Sequence, residues 1–438
     1  MQALLTNRYE TLEQLRPLSG KCPRCNLCKF PPLTIVERKE AGTICPSYDE
    51  LKGHFNSGGG MVTMSNSLVD GRSRVTEAVR RAVFACTACG GCDVSCKFSS
   101  DIEVQEVILA LRARVFTELG PLPEHARVLE TVRRQGHPLP EADAEGGDWR
   151  EHARPSPVAS ATTVVWIGPH FRHLRHHHEH LRAIFRLLDA AGIRYRLLDA
   201  EPYTGRAALE IGDRALFVEL AAAAAAALDR ARAQEVVCLS AEDYATLRNQ
   251  VPRHAPVRAR IRHLTEVYAE ALARGRLTPR HRQCAAVGWH DSPYLGRLSE
   301  PFRPWEGREE RRFGQMVVTV PPRPVNHGRE GCYEAPRQLL GALPGLIVRE
   351  LFRRREYAYD AGETGQAWRA FPDLARHAAE RRLREAVTAG IDTVVSECPQ
   401  THAHLSAAVA GGAVPQVRVA TLSELLATAV FGYERSAS

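Results

Sequence analysis

Apolar positions in the first 138 residues recur at helical spacing. Val75, Val79, Ala82 and Val83 form one stripe leading into Cys86. Val104, Val107, Ile108, Leu111 and Val115 form another, with Asp101 as its expected N-cap and Gly120 and Pro121 as its stop. Residues 3–16 and 124–135 read as further helices, and few positions alternate as strand residues do. Residues 1–138 are therefore expected to be an all-α unit. From about residue 160 the pattern changes to short β-branched runs between long amphipathic helices: T-T-V-V-W-I, a helix to Leu188, I-R-Y-R-L-L, an alanine-rich helix and E-V-V-C-L. The same order recurs as A-A-V-G-W-H-D, a helix near 335–343, L-I-V-R-E-L, a helix near 373–389 and D-T-V-V-S. This predicts a tandem duplication of α/β lobes with mostly parallel sheets, over 161–280 and 281–438. Between the two patterns the Gly-, Pro- and acid-rich stretch from 136 to 157 has no apolar period, and 139–160 is the expected interdomain linker.

Composition adds little. With 438 residues, 44% hydrophobic and 25% charged, the chain is ordinary for a globular protein of two or three domains. No apolar run approaches a membrane span and the first residues lack a signal-peptide pattern, so a cytoplasmic protein without a transmembrane segment is expected, leaving attachment to a membrane complex through a partner open. The net charge of +7 is almost all arginine, scattered among acids, since lysine occurs only at 21, 29, 39, 52 and 97. No groove-reading motif accompanies it, and nucleic acid is not an expected partner.

Cysteine spacing changes the picture most. Cys86, Cys89, Cys92 and Cys96 stand as C-x2-C-x2-C-x3-C, the spacing of a 4Fe-4S loop, with Gly90 and Gly91 free to curl the backbone so that its N–H groups face sulfur. Cys22, Cys25 and Cys28 repeat the triad, and Cys45 before Pro46 completes three plus one. Zinc favours two separated C-x2-C pairs instead. In two-cluster ferredoxins the distant cysteine of each cassette serves the other cluster. This assigns Cys22, Cys25, Cys28 and Cys96 to one cluster and Cys86, Cys89, Cys92 and Cys45 to the other, giving two 4Fe-4S clusters in one ferredoxin-like fold. Eight thiolate ligands among twelve cysteines also agree with a reducing compartment.

The two cassettes, followed by A-A-L-E-I-G-D (207–213), H-D-S-P-Y-L-G-R (290–297), Y-E-A-P-R-Q-L-L (333–340) and S-E-C-P-Q-T-H (396–402), resemble the iron-sulfur proteins of the heterodisulfide reductase D-subunit type. The C subunit of glycerol-3-phosphate dehydrogenase and the iron-sulfur subunits of glycolate oxidase are similar. The resemblance covers nearly the whole chain apart from an insertion near 298–330. It implies two CCG-type lobes whose cysteines hold a further cluster, and here those cysteines are missing. The first Cys-Cys-Gly position reads Tyr203, Thr204, Gly205, and the second reads Tyr359, Asp360, Ala361. The H-D-P-C phrase is His290, Asp291, Ser292, Pro293. The C-P-x-C phrase keeps Cys398 and Pro399 but ends in Thr401, and its first-lobe counterpart shows Ser240 and Asp243.

Cys238, Cys284, Cys332 and Cys398 remain in this half. None is closely paired, and Cys238 and Cys284 lie in apolar runs where cysteine packs as a small hydrophobe. In the run His173 to His180, the i, i+4 pairs His173/His177 and His176/His180 could grip a metal, but Leu174, Leu181, Ile184, Phe185 and Leu188 mark the buried stripe and place most of these histidines on the solvated face. The expected function is electron transfer by a non-catalytic oxidoreductase subunit. The resemblance implies a flavoprotein dehydrogenase or another iron-sulfur subunit as partner. Two alternatives stand beside it: a heterodisulfide-reductase-like catalytic subunit using Cys398, His290 and Asp291 at a remodelled site between the repeats, and a scaffold whose clusters only hold helices together.

Overall fold

The structure, a computed structural model, describes residues 5–140 and 148–432; residues 3 and 4 of the first expected helix, residues 141–147 of the expected linker and the last six residues lie outside them. The chain opens on a two-residue strand β1 (Leu5–Thr6), and the first helix, α1 (Leu12–Ser19), starts at a capping box between Thr11 and Gln14. α2 (Pro46–Leu51), α3 (Gly58–Val69), α4 (Glu77–Ala85), α5 (Gly91–Cys96), α6 (Val104–Leu119) and α7 (Pro123–Gln135) follow. The all-α expectation thus departs by one strand, because Leu5 and Thr6 pair antiparallel with Gly307 and Glu306 of the insertion. Asp101 does not cap α6 either: its side chain faces Arg323, and Glu103 occupies the N-cap position. α6 is buried on every side from Val104 to Arg112, as expected of a helix wedged between the cysteine cassettes and the lobes.

Within the segment expected to be a linker, α8 (Trp149–Ala153) is helical, and Trp149 stacks on Phe185 with ring centroids 6.2 Å apart. The first lobe runs β2 (Thr163–Trp166), α9 (Pro169–His173), α10 (His178–Ala190), α11 (Arg206–Ile211), α12 (Arg214–Arg230), β3 (Glu235–Cys238), α13 (Ala241–Ala245), β4 (Arg260–His263) and α14 (Leu264–Ala273). Its strands are parallel in the order β2-β3-β4, and the expected strand at 193–198 reduces to a parallel bridge from Arg196 to Val164 on the free side of β2.

The second lobe holds β5 (Ala285–Trp289), the hairpin β6 (Glu306–Arg312) and β7 (Met316–Val320), α15 (Glu334–Ala342), β8 (Leu346–Arg349), α16 (Ala367–Ala370), α17 (Pro372–Thr388), β9 (Thr393–Val395), α18 (Pro399–Ala410), β10 (Arg418–Ala420) and α19 (Leu422–Phe431). Its parallel sheet reads β8-β5-β9-β10. With Arg196 counted as the second strand of the first lobe, both sheets have the order second, first, third, fourth, the topological form of a duplication. One buried core runs from Leu109 and Val128 of the helical unit through Trp166 and Phe185 to Trp289, Val395 and Leu422. Among the described residues no helix is long and apolar enough to cross a membrane.

Candidate iron-sulfur centre

The first cassette is a loop ending in a short turn at Leu27–Lys29, with Arg24 and Asn26 in the left-handed region. The Ile44 N–H donates to the Lys29 carbonyl at 2.9 Å, which brings Cys45 beside this cassette. The second starts where α4 ends at Cys86, turns through Ala88 and Gly90, both at positive φ, and finishes on α5, where Cys92 and Cys96 lie one helical turn apart.

Cys22, Cys25, Cys28 and Cys96 together line a small cavity, partly open to solvent. Cys25 is exposed and Cys22 half-buried. Cys45, Cys86, Cys89 and Cys92 are all buried. Burial pushes the Cys45 thiol well above its usual range, and the adjacent thiols of Cys86 and Cys89 push it further; Cys92 is raised likewise by burial and by Cys86, Cys45 and Cys89. Burial and Asp93 push Cys96 up to about 12, with Cys22 and Cys28 in its surroundings. The remote cysteine of each cassette therefore faces the triad of the other. Cys28 stands within electrostatic reach of both Cys45 and Cys92, so the two groups adjoin.

An all-sulfur donor set with no carboxylate among it suits 4Fe-4S clusters. Among the described residues no three His, Cys, Asp or Glu side chains converge as ligands of a single ion. Buried thiols of high pKa ionise only against a bound cation, so ligation and deprotonation are coupled. The backbone already donates to sulfur: Gly59 N–H to Cys28 Sγ at 3.1 Å, and Ala88 N–H to Cys86 Sγ at 3.3 Å.

Gly58 and Gly59 were missed by the sequence reading. Ser57 caps the start of α3, which is wedged between the two groups: a Cβ on Gly58 would lie 2.8 Å from Cys92 Sγ, and one on Gly59 3.1 Å from Cys28 Sγ. The G-G-G run between the cassettes was the available signal. No local pattern revealed how the second loop is held. Its carbonyls are taken one after another by side chains: Ala85 O by Ser47 Oγ (2.9 Å), Cys86 O by Arg112, Thr87 O by Thr364 Oγ1 (2.7 Å), Ala88 O by Gln105 Nε2 (2.8 Å) and Cys89 O by Arg297 Nε (2.5 Å). Arg297 and Thr364 belong to the second lobe. Arg112 also donates to Glu210 O and Gly365 O, one from each lobe.

The lobes carry no thiolate cage at the family's ligand positions. In the first, Thr204 and Ser240 donate to the two oxygens of Asp243 at 2.7 Å each. In the second, Thr401 and Ser292 donate to Glu363 at 2.8 and 3.1 Å. The register of the second Cys-Cys-Gly position is corrected by one residue. Gly205 and Gly362 share positive φ, 89° and 95°, and each backs onto the following long helix, at Phe217 and Ala375 respectively; the motif position is therefore Asp360, Ala361, Gly362.

Cys398, His290 and Asp291 lie in structural pairs. Cys398 is buried, its thiol pushed up to about 12 by burial, and donates to Gln400 Oε1 at 3.3 Å. His290 is held down to about 3 by burial and by Arg382, whose Nε donates to its Nδ1 at 2.9 Å. Asp291 accepts both arms of Arg337, at 2.9 and 2.8 Å. Cys238 and Cys332 are buried, whereas Cys284 is exposed just before β5 instead of packed in it. The expectation of solvated histidines also fails: His177, His178 and His180 are buried, with α8 and α19 packed against α10. His180 Nε2 reaches Glu397 at 3.0 Å and His178 lies 5.3 Å from the ring of His152.

A family model described as a 4Fe-4S dicluster domain matches residues 19–100. The chain is 24% identical over 362 residues to the probable iron-sulfur-binding oxidoreductase FadF of Bacillus subtilis, an alignment covering 80% of this chain and 47% of that protein. It is 23% identical over 184 residues to the EtfAB:quinone oxidoreductase of Syntrophomonas wolfei, covering 42% of this chain and 21% of that one. The chain thus spans less than half the length of either relative. With the D subunit of the dihydromethanophenazine:CoB--CoM heterodisulfide reductase of Methanosarcina mazei it shares 23% identity over 338 residues, 74% of this chain and 72% of the relative. The cassettes, the order of motifs along the lobes and these similarities agree: residues 19–100 match a 4Fe-4S dicluster domain, and the chain as a whole is similar to iron-sulfur proteins of the heterodisulfide reductase D-subunit type.

Proposed function

We propose that the protein is the electron-transfer subunit of a larger oxidoreductase, holding one 4Fe-4S cluster on Cys22, Cys25, Cys28 and Cys96 and a second on Cys45, Cys86, Cys89 and Cys92. It relays electrons between a flavoprotein dehydrogenase or other redox subunit and an acceptor. Bound clusters supply one-electron chemistry that side chains lack. The chain's own residues supply the thiolates, the N–H groups of Gly59 and Ala88 aimed at sulfur, and the side chains that pin the carbonyls of residues 85–89 away from it. The observation that supports this reading most is that Cys96 lines one cavity with Cys22, Cys25 and Cys28 while Cys45 lies within electrostatic reach of Cys86 and Cys89. Hydroxyls and carboxylates at the lobes' ligand positions favour a relay without a third cluster. The names of two relatives, an EtfAB:quinone oxidoreductase and a heterodisulfide reductase component, support a partner of this kind.

Iron analysis and low-temperature EPR of anaerobically prepared protein test the reading. About eight irons per chain are expected, with two interacting signals after dithionite reduction. Iron-free, colourless protein ends the proposal; about twelve irons would place a further cluster in the lobes. Clusters that resist dithionite would turn the reading toward the scaffold.

A further inference from the structure

The cavity lined by Cys22, Cys25, Cys28 and Cys96 opens on a surface whose make-up is not needed to hold iron. Two aromatic rings stand exposed beside it: Phe98, two residues past Cys96, is 66% exposed, and Phe55, next to the cavity-lining His54, is 56% exposed. The β6–β7 hairpin, part of the insertion, rises next to the cassette. It is tied there by the Lys21–Glu309 ion pair at 3.7 Å and by the pairing of β6 with β1. Its tip carries Phe313, 94% exposed, followed by Met316 and Val317, 49% and 44% exposed. A tip of this kind gains nothing for the fold, since these side chains pack on no core, and clustered exposed apolar groups mark interaction sites.

The charge on the cassette loop and at the hairpin tip is mostly positive. Residues 20–30 contain Lys21, Arg24 and Lys29 and no acid. Arg311 and Arg312 immediately precede Phe313 at the tip. The hairpin's Glu309 and Glu310 are engaged by Lys21 and by Arg308 and Arg312, while Arg24 and Arg311 pair with no carboxylate among the described residues. By contrast Cys45, Cys86, Cys89 and Cys92 lie buried, with carbonyls of their loop held by residues of the second lobe.

We infer that this face is the docking site of an acidic electron-carrier protein, its acidic rim meeting Lys21, Arg24 and Arg311 and its apolar centre meeting Phe98, Phe55 and the Phe313 tip. The inference rests on the electron-transfer reading and adds the partner's chemistry and its point of contact. Charge complementarity of this kind acts through encounter and orientation and is screened by salt. The hairpin extends the contact beyond what the cassette loop alone offers.

The test uses the full-length, cluster-loaded protein with oxidised flavodoxin as the acidic probe. Cytochrome c serves as a basic control, and vesicles of mixed phosphatidylglycerol and phosphatidylcholine as an alternative anionic surface. Binding is read by calorimetry. Flavodoxin is expected to bind, to lose about tenfold in affinity between low salt and about 0.15 M, and to lose about as much on replacing Arg311→Glu together with Arg312→Glu. Phe313→Ser should weaken binding by a salt-independent factor, while cytochrome c shows none of these effects. The three hairpin residues touch no cluster ligand, so bleaching of the visible absorbance by dithionite should be the same in every variant. Absent flavodoxin binding, binding indifferent to the hairpin variants, or vesicle binding that depends on the same residues overturns the inference while leaving the clusters standing. Loss of iron or of bleaching in the unmodified protein would instead end the electron-transfer reading.

Discussion

The two cysteine groups come from the same triad spacing yet sit in opposite surroundings. Around Cys22, Cys25 and Cys28 the loop is short of partners, a cavity opens to solvent and Cys25 is exposed. Around Cys86 and Cys89 five consecutive carbonyls are bound by side chains, two of them by residues of the second lobe. Spacing alone sets which sulfurs can share a cluster. Burial, and the direction in which the backbone dipoles are turned, set what that cluster does, because potential responds to solvent and to hydrogen bonds at sulfur. The lobes, without thiolates at the positions where the resemblance implies ligands, cover the second group.

The largest effect should come from breaking the crossover. Cys96→Ser lies in the second cassette by sequence but belongs with the open group. It should therefore abolish the solvent-near cluster, halve the iron to about four per chain and leave the covered cluster's EPR signal intact. Cys45→Ser should do the reverse, removing the covered cluster while the first cassette keeps its own. If each variant instead loses the cluster of its own cassette, the comparison between open and covered groups has been drawn across the wrong sulfurs.

Next in size is Arg297→Met. This guanidinium is buried and joins Cys89 O to Ala358 O (2.6 Å) and Glu356 O (3.0 Å), and so links the covered loop to the second lobe. Removing a buried, hydrogen-bonded cation leaves three carbonyls without it and should cost about 2–4 kcal/mol in stability, read as earlier thermal loss of the covered cluster's absorbance. It also removes a positive charge beside the electron's site. The covered cluster's midpoint potential should fall on the order of 60 mV, the one-electron equivalent of about 1.4 kcal/mol, with the open cluster unmoved in a redox titration. Equal shifts in both would mean that the lobes do not distinguish them.

These particulars show what a sequence can carry. The dicluster domain was legible because cluster ligation imposes a local cysteine spacing, and the repeated order of strands and helices in the two lobes because each lobe carries it in its own apolar pattern. Arg112 and Arg297 were not, since a side chain reaching a carbonyl 26 or 208 positions away leaves no period to read. The histidine run was misjudged for a related reason: periodicity marks the face a helix buries against its own sheet, but α10 is also packed by α8 and α19 and its His180 reaches Glu397. The second Cys-Cys-Gly register slipped because only backbone conformation, positive φ at Gly205 and Gly362, aligns the two copies.

Buried histidines give the lobes a pH response of their own. Burial first, with neighbouring cations and imidazoles second, holds His170 down to about 3 and His173 to about 4, against an unfolded value of 6.5. His404 is also held to about 4, by burial against the opposing carboxylate of Asp360. The unfolded chain then binds more protons than the folded one below 6.5, so the stability these groups contribute is present above 6.5 and is lost as pH falls toward 4. Glu242 works the other way. Burial, with Asp243 and Glu210 beside it, raises it to about 8, so its contribution is full below the unfolded value of 4.5 and is lost as pH rises through 8. Thermal unfolding followed by circular dichroism should show a maximum near pH 6 and decline on both sides. His170→Asn with His404→Gln should flatten the acid limb and Glu242→Gln the alkaline limb, each by on the order of 2 kcal/mol. An acid limb unchanged by the histidine substitutions would assign the acid loss to other depressed groups, His290, His125 and His263 first among them.

The smallest expected effect bears on the lobes alone. Cys398 keeps the family's ligand position at the start of α18, but its neighbours there are Gln400, which accepts from its thiol, and Glu363, whose carboxylate is already engaged by Thr401 and Ser292. A sulfur so placed has no second sulfur to share iron with, and serine offers the same donor in slightly less volume. Cys398→Ser should therefore change stability by under about 1 kcal/mol and leave iron content, both EPR signals and electron acceptance from dithionite as they were. Loss of any of these on removing a single sulfur would show that the second lobe still handles electrons itself, and the division between a relaying unit and an insulating pair of lobes would have to be given up.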